Sequence, residues 1–495
     1  MLLSLHTFAQ SVNGKIKTLE NNLNYWDQSK TKKAPLKDRM AFYNANAVSI
    51  AVIKDYKIEW VKAYGFADVS EKRLATPQTL FQAASISKSI NSLGILKLVQ
   101  EGKLGLDDDI NDYLKTWKFT YDATSNGKKI TIANLLSHKA GLSVHGFGGY
   151  EKGKELPTTI QILDGLKPSN SSAVRSVFEP GSKFEYSGGG TTISQLILEN
   201  TTGEKYEDYM LNNVLIPLGM RNSSYNQPPS KDKENLLATA YENGKEVKGK
   251  YHIYPEKAAA GLWTNPTDLA NYIIETQLSL QGKSNKILSK ERSKERLENN
   301  FGVFLNDYKG TKYFIHDGKN EGFISVYIGS LEEGNGAVVM TNGSNMKLIF
   351  EIVNGIASLN QWKNFPVESQ TESISLTIKK AAEKNIDKGI ALYKNLKKTN
   401  PRDYNFSDEG ELNSLGYDFL RAEKIDAALK IFDLNVTEFP NSANVYDSRG
   451  EAYFNKKEYF LSRKDYQKVL TFDPTNQNAT DMLLKIETVL KDGPR

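Results

Sequence analysis

The 495-residue chain contains no cysteine. That absence removes disulfides, thiolate nucleophiles, zinc–thiolate sites and iron–sulfur clusters together, and with them an acylated cysteine anchor near the N-terminus. Histidine is scarce. The five are His6, His138, His145, His252 and His316, and none belongs to the His-Glu-x-x-His pattern of a zinc hydrolase. No Gly-x-Ser-x-Gly elbow occurs, which argues against an α/β-hydrolase. No apolar run approaches the roughly 20 residues that a membrane-spanning helix needs, so no integral membrane segment is expected. Charge of one sign is missing too: 64 Lys and Arg stand against 59 Asp and Glu, a formal +5 spread along the chain. Nucleic-acid binders carry a concentrated basic face, so nucleic acid is not an expected partner.

What is present is a globular composition, 39% apolar and 25% charged, on a chain too long for one ordinary core. Residues 1–12 include the small residues Thr7 and Ala9 and read as the remnant of a secretory signal, although the basic and most of the apolar region of such a signal are missing. A periplasmic or otherwise exported location is the expectation; a frayed terminus on a cytoplasmic protein is the alternative. Gly14 to Trp26 carries an apolar stripe at Ile16, Leu19, Leu23 and Trp26 and predicts a helix. Val48–Ile53 and Ile58–Val61 flank Lys54-Asp55-Tyr56-Lys57, a hairpin signal. A helical pattern runs from Ser85 to about Glu101 and stops at Gly102, and another is expected over Ser194–Leu215. Strands are expected at Lys312–His316, Phe323–Ile328 and Ala337–Thr341, followed by a helix through Leu348–Val353. Strands at both ends with helices between predict a mixed α/β domain on an antiparallel sheet, spanning residues 13–362.

A polar linker is expected at residues 363–373. Beyond it, over residues 374–495, Gly416, Phe432 and Pro440 return 34 positions later as Gly450, Tyr466 and Pro474, and a looser copy holds Tyr393 and Pro401. A 34-residue period of paired helices resembles tetratricopeptide repeats. The small residue lets two helices approach, the aromatic fills the next layer and the proline ends the second helix. Such a tail offers a face for a protein partner, or simply docks on the preceding domain.

Three short stretches can carry chemistry. In Ser85-Ile86-Ser87-Lys88 the Ser and Lys stand three apart on one helical face, about 5–6 Å between Cβ atoms. A lysine in a dry site can accept a proton from a serine hydroxyl. The pattern is common, recurring at Ser29, Ser125, Ser230 and Ser344, but only at Ser85 do small residues (Ala83, Ala84) lead into a strongly apolar helix. The start of a helix also offers unpaired N–H groups to an oxyanion. The competing reading of Ser85 is a helix N-cap. Next, Phe184-Glu185-Tyr186-Ser187-Gly188-Gly189-Gly190 puts a tyrosine on a small-residue loop, where a phenol near ammonium groups can shuttle protons; the competing reading is a buried loop tyrosine. Last, His316-Asp317-Gly318 ends a strand, and a glycine there lets another backbone come close.

These elements, in this order, resemble the serine β-lactamase-like family: class C β-lactamases, D-alanyl-D-alanine carboxypeptidases and related esterases. The resemblance extends through residues 98–108, 132–142, 216–220 and 259–264, and covers about residues 40–345. It implies an antiparallel sheet flanked by helices, a helical lobe, and an active site in the cleft between. It also implies Ser85 as nucleophile, Lys88 as its activating partner, Tyr186 as general acid/base, and the N–H groups of Ser85 and Lys319 as an oxyanion hole. Gly188, His316 and Gly318 fall at substrate-binding positions, and neither a metal nor an organic cofactor is needed. Two departures bear on specificity. Gly188 stands where the family usually has Asn, and His316 stands where β-lactamases often place a lysine that pairs with a substrate carboxylate. Both favour an ester, amide or peptide substrate without a free carboxylate near the scissile bond. Two alternatives stay open: a true β-lactamase or cell-wall D,D-carboxypeptidase, and an inactive ligand-binding scaffold whose repeats dock a partner.

Overall fold

The computed structural model describes residues 11–27, 30–367, 373–401, 404–474 and 476–492. Residues 1–10, on which the signal-segment expectation mostly rests, lie outside them, as do residues 368–372 of the expected linker. The described residues fall into two compact units, one built mainly on Lys33–Val367 and one on the C-terminal helices. Among them no helix is long and apolar enough to cross a membrane.

A seven-stranded antiparallel sheet organises the first unit. Its strands are β1 (Ala47–Lys54), β2 (Lys57–Asp68), β3 (Arg73–Leu74), β4 (Phe304–Tyr308), β5 (Thr311–Asn320), β6 (Phe323–Ser330) and β7 (Gly336–Thr341), in the order β4-β5-β6-β7-β1-β2-β3. Asp55 and Tyr56 both have positive φ, 51° and 61°, the two-residue turn whose twist matches a hairpin. β1 lies between β7 and β2, so strands from both ends of the domain meet at its centre. Val48 and Ile50–Ile53 are fully buried there. A central strand covered on both faces reads as a continuous apolar run rather than an alternation.

The N-terminal helix α1 (Val12–Asn21) stops well short of Trp26, which lies instead in a short strand, Leu23–Asp27. Helix α2 (Ile86–Gln100) begins at the candidate nucleophile and ends before Gly102, at φ 71°. Nearly every residue from Ile86 to Leu98 is buried, and the buried polar side chains Ser89, Asn91 and Ser92 are hydrogen-bonded, as groups removed from water must be. The single helix expected over Ser194–Leu215 is not what forms. Helix α3 (Gly188–Thr202) starts earlier, at Gly188, and ends at Gly203, whose φ of 73° is left-handed. A second helical piece then runs from Tyr206. Glycine adopts that conformation at little cost and so terminates the helix. Helices α4 (Pro266–Leu280) and α5 (Met346–Leu359) complete the scaffold.

In the second unit, helices α6 (Ile374–Lys384), α7 (Ile386–Thr399), α8 (Glu409–Arg421), α9 (Ile425–Glu438), α10 (Ala443–Asn455), α11 (Tyr459–Phe472) and α12 (Gln477–Asp492) follow one another. The 34-residue echo has a packing reason. A Cβ on Gly416 would run into the Phe432 ring, and one on Gly450 would stand 3.2 Å from the Tyr466 ring. The region is all-helical and consistent with repeats. Gly416→Val is expected to destabilise it by about 1–3 kcal/mol, the usual cost of overpacking a filled site. Urea unfolding followed by circular dichroism would check this, and an unchanged midpoint would contradict it.

Candidate active site

The approach to α2 is strained. Ala84 has φ 50°, a conformation that costs a non-glycine residue about 1 kcal/mol or more. Ser85 follows at φ −63° and ψ −15°, in the N-cap position but with no side-chain capping bond. Its hydroxyl instead meets Lys88 Nζ at 3.1 Å, so the capping role that the sequence left open is not the one its side chain plays. Lys88 is 4% exposed and donates to the Ala259 carbonyl at 2.7 Å. No carboxylate lies within ion-pairing distance of it among the described residues. Two bonds fix the first turn of α2 from behind: Leu262 N–H donates to Ser87 Oγ at 3.0 Å and Tyr225 O–H to the Ser87 carbonyl at 2.8 Å.

Tyr186 is half-buried, with Lys88 Nζ 4.9 Å from its ring centroid. Lys88 Nζ gives its hydrogen bonds to Ser85 Oγ and the Ala259 carbonyl, and among the described residues the Tyr186 hydroxyl bonds to neither Ser85 nor Lys88. The backbone around it is pinned closely. Glu185 N–H donates to the His138 carbonyl at 2.7 Å and Ser187 N–H to His138 Nδ1 at 3.2 Å. His145 Nδ1 lies 2.6 Å from the Tyr186 carbonyl. Residues 138–145 thus hold Tyr186 in place, a role that the sequence motif around Tyr186 did not disclose.

Gly318 shows why a glycine is needed on β5. A Cβ there would collide with the Ala83 carbonyl and stand 2.9 Å from Ser85 N. β4 pairs with β5 only as far as Phe304↔Ile315, so the outer edge of residues 316–320 carries no strand. The Ser85 N–H donates no hydrogen bond among the described residues. The side chain of Lys319 is exposed. Asn320 Nδ2 donates to Gln82 Oε1 at 2.8 Å and to the Ala260 carbonyl at 3.1 Å, tying the end of β5 to the segment before Ser85. Gly188 lies beneath the loop before it: a Cβ there would be 2.9 Å from the Phe147 ring and 3.1 Å from the His145 carbonyl. The asparagine usual at this place in the family has no room.

His316 is 2% exposed and puts Nδ1 2.6 Å from the Asp317 carbonyl. A carbonyl only accepts, so Nδ1 carries the hydrogen and Nε2 is left as a buried acceptor without a partner. Burial pushes both His316 and His138 down to about 3. Both rings are neutral at physiological pH, and His316 does not serve as a fixed cation.

A stability prediction follows. The unfolded chain protonates these rings near the ordinary value of about 6.5, whereas the folded chain resists until about 3. Their contribution is therefore complete above pH 6.5 and is lost as the pH falls toward 3. Relative to His316→Gln, the wild type should lose on the order of 2 kcal/mol between pH 7.5 and pH 5. Urea midpoints at the two pH values measure this, and parallel behaviour of the two proteins would refute it.

Comparison with known proteins agrees with this fold. The sequence profile of the Beta-lactamase family matches residues 34–350. The chain belongs to the beta-lactamase family. Among curated relatives of this beta-lactamase-family chain, "Protein flp" of Staphylococcus aureus is 27% identical over 313 residues, 59% of each chain. "Penicillin-binding protein 4*" of Bacillus subtilis is 27% identical over 199 residues, 39% of this chain and 41% of that one. The chain thus spans well under two thirds of the length of these relatives. Among solved structures, the octameric penicillin-binding protein homologue from Pyrococcus abyssi superposes with a TM-score of 0.57 at 24% identity, over 71% of this chain and 80% of that one. The D-amino acid amidase from Ochrobactrum anthropi SV3 does so with 0.55 at 21%, over 66% and 96%. At these identities the two structures establish the fold, and the family is one of serine hydrolases.

Several participants were not singled out in the sequence: His138 and His145 as holders of Tyr186, Phe147 over Gly188, and Phe184 and Phe304 nearby. Phe304 had a usable signal. Lys309-Gly310, at φ 52° and 83°, is a two-residue turn between β4 and β5, and the β4 strand before it was missed.

Proposed function

We propose that the domain hydrolyses esters or amides through an acyl-enzyme on Ser85. The observation that carries this reading is the 3.1 Å contact of Lys88 Nζ with Ser85 Oγ, made by a buried amine with no carboxylate partner. Lys88 accepts the hydroxyl proton as Ser85 Oγ bonds to the acyl carbon. The N–H groups of Ser85 and Lys319 bind the resulting oxyanion. Tyr186 passes a proton to the departing oxygen or nitrogen as its bond to the acyl carbon breaks, and recovers one from Lys88. Water then attacks the ester carbonyl, the bond from the acyl carbon to Ser85 Oγ breaks to release the acid, and the proton taken from the water returns through the same pair to Oγ.

Neutral, buried His316 and the crowded Gly188 support substrates without a carboxylate beside the scissile bond. A panel of p-nitrophenyl esters, aminoacyl nitroanilides and nitrocefin tests the reading, with phosphonate labelling mapped by peptide mass. Ester or anilide turnover with an adduct on Ser85 is expected. Nitrocefin turned over faster than every ester would replace this reading with that of a β-lactamase. Failure of the phosphonate to label Ser85 would leave an inactive binding scaffold.

A further inference from the structure

Five rings close a loop of contacts beside Ser85. Tyr186 lies 4.4 Å from His138, His138 lies 6.0 Å from Phe184, and Phe184 lies 6.1 Å from Phe304. Phe304 in turn lies 5.0 Å from His316, and His316 lies 6.4 Å from Tyr186, all between ring centroids. The members come from distant parts of the chain: His138, Phe184 and Tyr186 from the segment between α2 and α3, and Phe304 and His316 from β4 and β5 at the edge of the sheet. Phe184 is 51% exposed, so about half of its surface is turned to solvent beside these rings. Both histidines are neutral there. The surface offered is that of Phe184, with Tyr186 and Phe304 half-buried, and neither histidine adds a charge to it.

We propose that this collar selects the leaving group, and that Phe184 and Phe304 favour an uncharged aromatic or bulky apolar alcohol or amine over a small or anionic one. The inference rests on the hydrolase reading above. If Tyr186 protonates the departing atom, that atom lies against a member of the collar, and whatever it carries extends along the neighbouring rings. Aromatic faces reward such a group with stacking and apolar contact. A carboxylate laid on these rings would lose its hydration, and the position where the family often has lysine holds the uncharged His316.

The test uses three acetate esters sharing one acyl group: ethyl, benzyl and 4-carboxybenzyl. In the wild type, kcat/KM for benzyl acetate should exceed that for each of the others by about tenfold or more, the discrimination an apolar pocket commonly provides. In Phe184→Ala and Phe304→Ala the benzyl-to-ethyl ratio should fall about tenfold, and circular dichroism would establish that the variants fold. Phe184→Arg supplies a cation at the exposed position and should raise the 4-carboxybenzyl-to-benzyl ratio about tenfold. Unchanged ratios in all three variants, with Ser85 still labelled by a phosphonate, would overturn the collar's role while leaving the hydrolase reading intact. So would a wild type indifferent to the carboxylate. No turnover of any ester and no phosphonate adduct would remove the hydrolase reading and this inference with it.

Discussion

Ser85→Ala is expected to lower kcat for the best ester of the panel by about 10⁴-fold or more, the scale seen when a nucleophile acting as part of a unit is removed. Lys88→Met should cost nearly as much, because without an amine at 3.1 Å the hydroxyl has no base in contact with it. The double variant should then be little worse than either single one, since each substitution disables the same step. Stability should behave differently. A working N-cap would cost about 1 kcal/mol on truncation, but Ser85 Oγ makes no capping bond. Thermal unfolding of Ser85→Ala should therefore stay close to that of the wild type. Residual activity within tenfold in both single variants would mean that chemistry runs elsewhere. Losses that simply multiply in the double variant would mean that the two residues do not act together.

Gly318→Ala should produce the second large effect, a fall in kcat of about 10²–10³-fold, the range for loss of one oxyanion donor. The added methyl would strike the Ala83 carbonyl and come within 2.9 Å of Ser85 N. Backbone cannot yield as a flexible side chain does, so β5 or the Ala83–Ser85 segment must move apart. A displacement of about 1 Å at a reacting centre is enough for a loss of about 10². Overpacking should also lower stability by about 1–3 kcal/mol. Steady-state kinetics beside urea unfolding would separate the two contributions. Activity within threefold of the wild type would show that Gly318 is not required to bring β5 against Ser85.

Much of the domain is legible locally. The apolar run from Ile90 to Val99, stopped by Gly102, predicts α2, and the Ser-x-x-Lys spacing places Ser85 and Lys88 on one turn of it. The turn at Asp55-Tyr56 and the three strand segments from 312 onward are likewise local patterns, as is the 34-residue echo of Gly416 and Phe432. The errors have local causes too. Leu23 and Trp26 extend a helical stripe on paper, yet backbone pairing takes residues 23–27 into a strand. The expected helix from Ser194 ignored Gly203, whose left-handed φ ends α3. β4 was overlooked because it is short and its turn, Lys309-Gly310, was not read as one.

The amino-acid sequence by itself determined the turn that pairs Ser85 with Lys88, the antiparallel α/β class and the paired-helix tail, because helix and strand periodicities act over a few residues. Only the tertiary structure decided what surrounds that turn. His138, Phe184, Phe304 and His316 are separated by up to 178 positions and join Tyr186 in one ring of contacts because the segment between α2 and α3 packs against the sheet edge. The neutrality of the two histidines was decided there as well, since the cost of charging a ring depends on its burial, and no spacing along the chain encodes that.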